Sequence, residues 1–314
     1  MNELYLGIDT SNYTTSVAVT DSEGNVISDR RKLLPVKKGE RGLRQQEALF
    51  HHIKNFPEII KKVRDDVDIR QIKSIGVSAR PRNVEGSYMP CFEAGRSFAI
   101  SMGTALNVPI YEFSHQEGHI RAATDIDECI CFHLSGGTTE FLKVVKNVDK
   151  TGYKVDIIGH TLDISFGQLI DRIGVAMGFD FPAGKAIDSL AFSSDRNLII
   201  KGLKHFHISG NDVNLSGVET QFGRIISDYK KDEIAITLMN MTAECLDKII
   251  ATCKKKYPDI PVVLAGGVSQ SLFLKECLKD KAIFAEYGAD NAIGISKLGG
   301  MAYATETCKG KPVK

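Results

Sequence analysis

The chain has 314 residues, of which 43% are apolar and 25% charged, and a formal net charge of +1. This size accommodates two domains with separate cores, and this balance is that of a soluble globular protein. No apolar run reaches the length of a bilayer span, the first residues lack a signal-peptide core, and no global charge draws the chain onto nucleic acid or membrane, so a cytoplasmic protein is expected.

Residues 4–9 form a short apolar run closing on an acid, and residues 14–19 an alternating strand. The turn Glu23-Gly24-Asn25 leads to a third strand over 26–34. Here Arg30, Arg31, Lys32, Lys37, Lys38, Arg41 and Arg44 crowd together, with only Asp29 and Glu40 as nearby acids. Such a run either grips phosphates or forms a solvated strand edge and loop. Helical periodicity covers residues 44–63, followed by a strand at 72–77, a helix at 91–106 and a strand at 109–111.

Ser114-His115-Gln116-Glu117-Gly118-His119 comes next. Ser114 with Glu117 predicts a capping box, so a helix starts here and sets His115 and His119 on one face. Two imidazoles four residues apart are either a solvated helix face or one side of a metal clamp whose third ligand comes from elsewhere. The pattern then restarts. Strands are predicted at 129–134, 140–145 and 154–158, then a helix at 166–177, an irregular glycine-containing stretch and a long helix at 234–255. A buried strand at 261–264 and helices at 272–278 and 293–305 complete the chain. Three strands, helix, strand and helix occurring twice predict a duplicated α/β fold with a cleft between its halves. The seven cysteines (Cys91, Cys129, Cys131, Cys245, Cys253, Cys277 and Cys308) contain no CxxC pair and read mostly as reduced core residues.

Three glycine-bearing segments fall where strands end: Gly7-Ile8-Asp9-Thr10-Ser11-Asn12, Leu134-Ser135-Gly136-Gly137-Thr138-Thr139 and Leu264-Ala265-Gly266-Gly267-Val268-Ser269. Each is either a plain turn or a cradle whose N–H groups meet phosphate oxygens. The GxGxxG and GxxxxGK[ST] patterns are absent. Asp163, Asp171 and Asp188 lie on or beside glycine-bordered segments. Asp163 suits an N-cap or a cation, and Asp171 and Asp188 suit a ribose diol; the alternative for all three is capping or plain surface. Three such loops in matching places of a duplicated fold resemble the superfamily of actin, sugar kinases and heat-shock chaperone ATPases.

The motifs His115-Gln116-Glu117-Gly118-His119, Ser135-Gly136-Gly137-Thr138, Phe181-Pro182-Ala183-Gly184, Gly266-Gly267-Val268-Ser269 and Asp290-Asn291-Ala292-Ile293-Gly294, with the segment 161–171, occur in this order. Together they resemble the tRNA threonylcarbamoyladenosine synthase family, formerly catalogued as glycoproteases. The resemblance implies a two-domain α/β fold of the actin-like ATPase class with an interdomain nucleotide cleft. Its expected domains are residues 1–113, with the C-terminal helix 295–314 packing back on them, and residues 114–294. It further implies one divalent metal, zinc or iron, on His115, His119 and Asp290, with His133 either a fourth ligand or a strand residue.

ATP or threonylcarbamoyl-adenylate is the implied ligand. Ser135, Gly136 and Gly137, entered through His133 and Leu134, match the phosphate-side loop. Asp171, Gly184 and Asp188 match ribose contacts, with Asp163 and Gly167 beside them; Gly266 and Gly267 match the adenine loop, where Ser271 replaces an asparagine. Asp9 and Ser11 of the opening loop are the catalytic candidates. The implied partners are an adenine nucleotide, tRNA, a separate carbamoyl-adenylate synthase and an actin-like paralogue subunit.

The departures lie on the acceptor side. Tyr13 and Thr14 stand where the family has an Asp-Glu pair, Arg80-Pro81-Arg82 replaces a glycine-proline-glycine turn, and Glu219 reverses a lysine's charge. They describe a divergent paralogue. The expected activity is metal-dependent threonylcarbamoyl transfer to tRNA adenosine. The alternatives are carbamoyl-type transfer to another, anionic acceptor, and a nucleotide-binding scaffold without turnover. A peptidase is disfavoured, because Gln116 stands at the glutamate position of HExxH.

Overall fold

The two expected opening strands form and pair. In the computed structural model, which describes residues 3–11, 13–35, 43–147, 151–285, 287 and 291–309, β1 (Leu4–Ser11) pairs antiparallel with β2 (Thr14–Asp21). Strand β3 (Val26–Leu33) pairs with β2. Helix α1 (Gln45–Asp66) lays Phe56, Ile59 and Val63 against the sheet. Strand β4 (Ile72–Arg80) runs parallel to β1, and after α2 (Phe92–Leu106) strand β5 (Ile110–Ser114) runs parallel to β4. Helix α3 (His115–Ala123) starts on the last residue of β5, with Ser114 and Glu117 closing the expected capping box.

The cationic edge of β3 is answered locally. Arg30 meets Asp66, Arg31 meets Asp29 at 2.6 Å, and Lys32 meets Glu58 at 2.6 Å. Exposed pairs like these are worth about 0–1 kcal/mol each. They make these three cations a solvated surface. Lys37, Lys38, Glu40 and Arg41 lie outside the described residues.

The second sheet repeats the first. Strands β6 (Glu128–Leu134), β7 (Thr139–Lys146) and β8 (Tyr153–His160) are followed by α4 (Phe166–Ala176) and α5 (Gly184–Ser193). A small hairpin, β9 (His207–Ser209) with β10 (Asp212–Asn214), precedes α6 (Ser216–Ile225) and the long α7 (Lys231–Lys256). Then come β11 (Val262–Ala265), α8 (Leu272–Leu278), β12 (Ile283–Phe284) and α9 (Asn291–Cys308). The sheet orders are β3-β2-β1-β4-β5 and β8-β7-β6-β11-β12. In each sheet, taking its own strands in chain order, the first pairs antiparallel with the second and parallel with the fourth. Phe132, Phe141, Phe166, Phe222 and Phe273 are fully buried in the second core, each side chain contributing about 1.5–3 kcal/mol.

One unit comprises Met1–Asp125, Lys146–Lys154 and Asp290–Lys314; the other comprises Ile126–Val145 and Val155–Ala289. Helix α3 therefore belongs with the first unit, where a boundary after residue 113 had assigned it to the second. The reason is packing: α3 and α9 meet backbone to backbone, and a Cβ on Gly294 would lie 1.9 Å from the Gly118 carbonyl oxygen. Among the described residues no helix is long and apolar enough to cross a membrane. Of the seven cysteines, Cys277 is half-buried, Cys308 is exposed and the other five are buried. Burial pushes the Cys91, Cys129 and Cys245 thiols up to about 12.

Candidate functional site: a histidine pair and a nucleotide-sized cavity

The first unit brings the two histidines of α3 together. Nε2 of His119 lies 3.0 Å from Nε2 of His115, with the rings edge to face. His119 is 7% exposed. One nitrogen donates and the other accepts, so a single proton lies between them. Two nitrogens at this separation, each about 2.05 Å from one ion, would subtend roughly 95° at it. The pair therefore fits adjacent ligand positions of one transition metal. Among the described residues no group of three or more His, Cys, Asp or Glu side chains is placed to hold an ion. Asp290, the expected third ligand, lies outside the described residues.

Asp9 lies behind His115, at 2% exposure, with Oδ1 3.0 Å from Nδ1. Burial works against its charge. The adjacent imidazole, with hydrogen bonds from His115, Ser78 and Asn291, nevertheless holds the carboxyl well below the usual carboxylate range. Asn291 at the start of α9 reaches Asp9 at 3.0 Å, Ser78 at 3.2 Å and His115 at 2.6 Å. Ser78 carries no local signal in the sequence, and Asn291 lies in the 290–294 motif, where only Asp290 was given a role. They arrive from β4 and α9, more than 200 residues apart in the chain.

The spacing of the histidine motif has a structural reason at each position. Glu117 folds back, with Oε2 accepting from Ser114 N at 2.9 Å and Ser114 Oγ at 2.7 Å. It is consumed as a helix cap, which removes the acid a peptidase would need as general base. Gly118 admits Asn291, because a Cβ there would lie 2.1 Å from Asn291 Oδ1. The Gln116 N–H bonds the Pro81 carbonyl oxygen at 3.1 Å, so the Arg80-Pro81-Arg82 turn abuts the start of α3. Ser11 ends β1 opposite Thr14.

The second unit holds a cavity of about 540 Å³, lined among others by Gly136, Gly167, Asp171, Gly184, Asp188, Gly267 and Ser271. All seven were expected at a nucleotide site. The loop between β6 and β7 is tied to the N-terminus of α4: Ser165 Oγ donates to the Gly136 carbonyl oxygen at 3.1 Å, and Thr139 Oγ1 accepts from Phe166 N at 3.1 Å. Ser135 bonds Thr138 across the turn, and a Cβ on Gly167 would come within 2.6 Å of Ser135 O. Glycine backbone beside a helix N-terminus is a setting for anionic oxygens.

Asp171 Oδ1 accepts from Ala183 N at 2.8 Å and Gly184 N at 3.0 Å; burial raises its pKa against those bonds. Asp188 accepts from Ser271 Oγ, from Leu272 N at 2.9 Å and from Phe273 N at 3.2 Å, so it also fastens the start of α8. Lys185 and Gln270 line the cavity too. The sequence reading missed them, although each lies beside a segment it had singled out.

The remaining expected residues are placed differently. Asp163 accepts from Leu215 N at 2.9 Å, Ser216 N at 3.0 Å and Ser216 Oγ at 2.6 Å. It anchors the start of α6, while Ser165, with Gln168, is the cap of α4. Leu134 is a fully buried core residue, and His133 is a buried residue of β6, opposite Glu140 and Ala265. Gly137 is at the exposed tip of its turn, and Gly266 turns the chain after β11 at a φ of 92°. Glu219 pairs with Arg172 at 3.1 Å, which answers its reversed charge within the same unit.

Two five-stranded sheets of one order, each with a hairpin at its centre, define a protein of the actin-like ATPase class. Solved structures share this fold. HypF of T. kodakarensis superposes with a TM-score of 0.60 at 13% identity, covering 98% of this chain and 48% of that one. The activator of 2-hydroxyisocaproyl-CoA dehydratase from Clostridium difficile gives 0.55 at 12% identity over 100% of both chains. A ROK family glucokinase from Streptomyces griseus gives 0.53 at 12%, over 95% and 99%.

The chain belongs to the tRNA N6-adenosine threonylcarbamoyltransferase (TsaD) family, whose model matches residues 30–297. It is 27% identical to the tRNA N6-adenosine threonylcarbamoyltransferase of Nanoarchaeum equitans, over 95% of this chain and 94% of that protein. It is 26% identical to the Neorickettsia sennetsu protein of the same name, over 90% and 85%.

Proposed function

We propose that this chain transfers a threonylcarbamoyl group from an adenylate to an adenosine of tRNA. The family match over residues 30–297 carries this reading. Relatives of that name cover nearly the whole chain, and the histidine pair and the cavity hold residues the family resemblance implies. The adenine nucleotide, ATP or threonylcarbamoyl-adenylate, occupies the second unit's cavity. The dehydratase activator and the glucokinase carry ADPNP and AMPPNP in their structures, which supports a nucleotide as the occupant.

In this reading the Gly136 loop and the N-terminus of α4 hold the phosphate oxygens. Asp171 accepts from a ribose hydroxyl through Oδ2, since both of its backbone bonds fall on Oδ1. His115 and His119, with Asp290, hold one divalent ion, zinc or iron. When bound, the ion supplies Lewis acidity for the carbamoyl or phosphoryl oxygens. A separate synthase supplies the adenylate, and an actin-like subunit is a candidate companion.

A second reading rests on the Arg80-Pro81-Arg82 turn against the start of α3. Two cations in the turn that abuts the start of α3 suit an anionic acceptor other than tRNA adenosine. Expressing the chain in cells that lack their own transferase separates the two readings. Mass spectrometry of tRNA nucleosides should show threonylcarbamoyladenosine restored. A folded, metal-loaded protein that leaves the tRNA unmodified would overturn the first reading and leave the second.

A further inference from the structure

We propose that Asp9, Ser78 and Asn291 form a hydrogen-bonded shell that keeps the proton of His115 on Nδ1, and so presents a bare Nε2 to a divalent cation. The inference rests on the metal-clamp reading of the histidine pair. It makes Asp9 a positioning residue, acting through His115 rather than on the substrate.

Nδ2 of Asn291 carries two hydrogens but has three neighbours: Asp9 Oδ1 at 3.0 Å, Ser78 Oγ at 3.2 Å and His115 Nδ1 at 2.6 Å. His115 Nδ1 is also 3.0 Å from Asp9 Oδ1. It cannot accept from Asn291 and donate to Asp9 at once. A bare Nδ1 would set its lone pair 3.0 Å from an oxygen of the Asp9 carboxyl, too close for a water to stand between them. A protonated Nδ1 donates to Asp9, and because two N–H donors cannot face each other at 2.6 Å, the Asn291 amide turns its oxygen, otherwise buried without a partner, toward Nδ1. In that orientation the Nδ1 proton is shared between Asp9 Oδ1 and the Asn291 oxygen, which also accepts from the Ser78 hydroxyl.

With the proton fixed on Nδ1, His115 Nε2 is the acceptor in the 3.0 Å contact and His119 Nε2 the donor. A cation entering there takes the place of the His119 Nε2 proton, which moves to Nδ1 of that ring, and His115 needs no change of tautomer to receive it. The shell comes from three elements: Asp9 from β1, Ser78 from β4 and Asn291 from α9. The ring is thus fixed by the sheet and α9 of the first unit rather than by its own helix. Asn291 also follows Asp290, the expected third ligand, directly in the chain, and the absence of a side chain at Gly118 gives it room. Carboxylates and amides behind a ligating imidazole fix its orientation, and removing them lowers metal affinity by about 10–100-fold.

The test uses the full chain, stripped of metal. In 15N spectra of histidine-labelled wild-type protein, His115 should show a protonated Nδ1 and a bare Nε2. In zinc competition titrations, Asp9→Asn and Asn291→Ala should bind zinc about 10–100-fold more weakly than wild type, and Ser78→Ala should fall between. Protection of the α3 amides from hydrogen exchange, a readout within the first unit, serves as the check that each variant is folded. A wild-type His115 protonated on Nε2 would overturn the proposal, even if no variant folded. So would folded Asp9→Asn and Asn291→Ala proteins with zinc affinity within about twofold of wild type. His115→Ala and His119→Ala report on the metal clamp itself. If both bind zinc like wild type, that reading fails and takes the shell with it; if both lose zinc while Asp9→Asn and Asn291→Ala do not, only the shell fails.

Discussion

A methyl group at position 167 separates nucleotide binding from stability. The Cβ of Gly167→Ala would lie 2.6 Å from the Ser135 carbonyl oxygen and 2.6 Å from the Gly136 Cα. Ordinary contact begins at 3.4 Å, so the loop has to retreat by roughly 0.8 Å, and a backbone cannot turn aside as a side-chain tip does. Overpacking of this kind costs about 1–3 kcal/mol, against which replacing a helical glycine returns up to about 1 kcal/mol. The net loss is about 0–2 kcal/mol, a fall in Tm of up to about 8 °C.

The effect on binding is larger. One charge-assisted hydrogen bond to phosphate is worth about 1.5–3 kcal/mol, so losing it weakens ADP binding roughly 10–150-fold. Gly223→Ala in α6 is the matched control, since nothing lies within 4 Å of its Cβ; it should gain up to about 1 kcal/mol and keep the wild-type Kd. Thermal unfolding and calorimetric titration with ADP read both quantities. A Gly167→Ala protein with the wild-type Kd and a Tm raised like that of Gly223→Ala would refute the placement of phosphate against this loop.

Other consequences follow from single side chains. His52 is fully buried, with Nδ1 2.8 Å from Thr15 Oγ1, and burial pushes its pKa down to about 4. The folded protein therefore binds fewer protons than the unfolded chain between pH 6.5 and 4. The stabilisation is complete above about pH 6.5 and is lost as pH falls through that window, by about 3 kcal/mol in all; urea unfolding at several pH values should show this, and His52→Asn should flatten it. Glu117→Ala should lower first-unit stability by about 1 kcal/mol through the lost cap and Glu117→Gln by less, read by hydrogen exchange of α3. Ser271→Ala removes the oxygen that accepts from Leu274 N at 3.0 Å and should cost about 0.5–2 kcal/mol in thermal unfolding.

Local signals carried most of the architecture into the sequence. The alternation over residues 14–19, the Ser114–Glu117 capping box and the glycine turn after β6 each act within a few residues, and each element forms where it was expected. The hairpin β9–β10 escaped notice because three-residue strands are too short to show a period. Helix α5 escaped because Ala183 offers no side-chain cap to announce it. Asp163 looked like a cap for the helix after it, but its oxygens are taken by residues 215 and 216, 52 and 53 positions away. The shell around His115 was invisible for the same reason, because only the folded sheet brings Asp9, Ser78 and Asn291 together. Helix α3 also follows packing over pattern, held in the first unit by its close approach to α9.

The most direct test of the account is a reconstituted reaction. The purified, metal-loaded chain is mixed with unmodified tRNA, threonylcarbamoyl-adenylate and the companion subunits of a system from which the authentic transferase has been left out. Mass spectrometry of the digested tRNA should find threonylcarbamoyladenosine with the wild-type chain and none with His115→Ala. Unmodified tRNA from a wild-type chain that is folded, binds zinc and binds ADP would contradict the account.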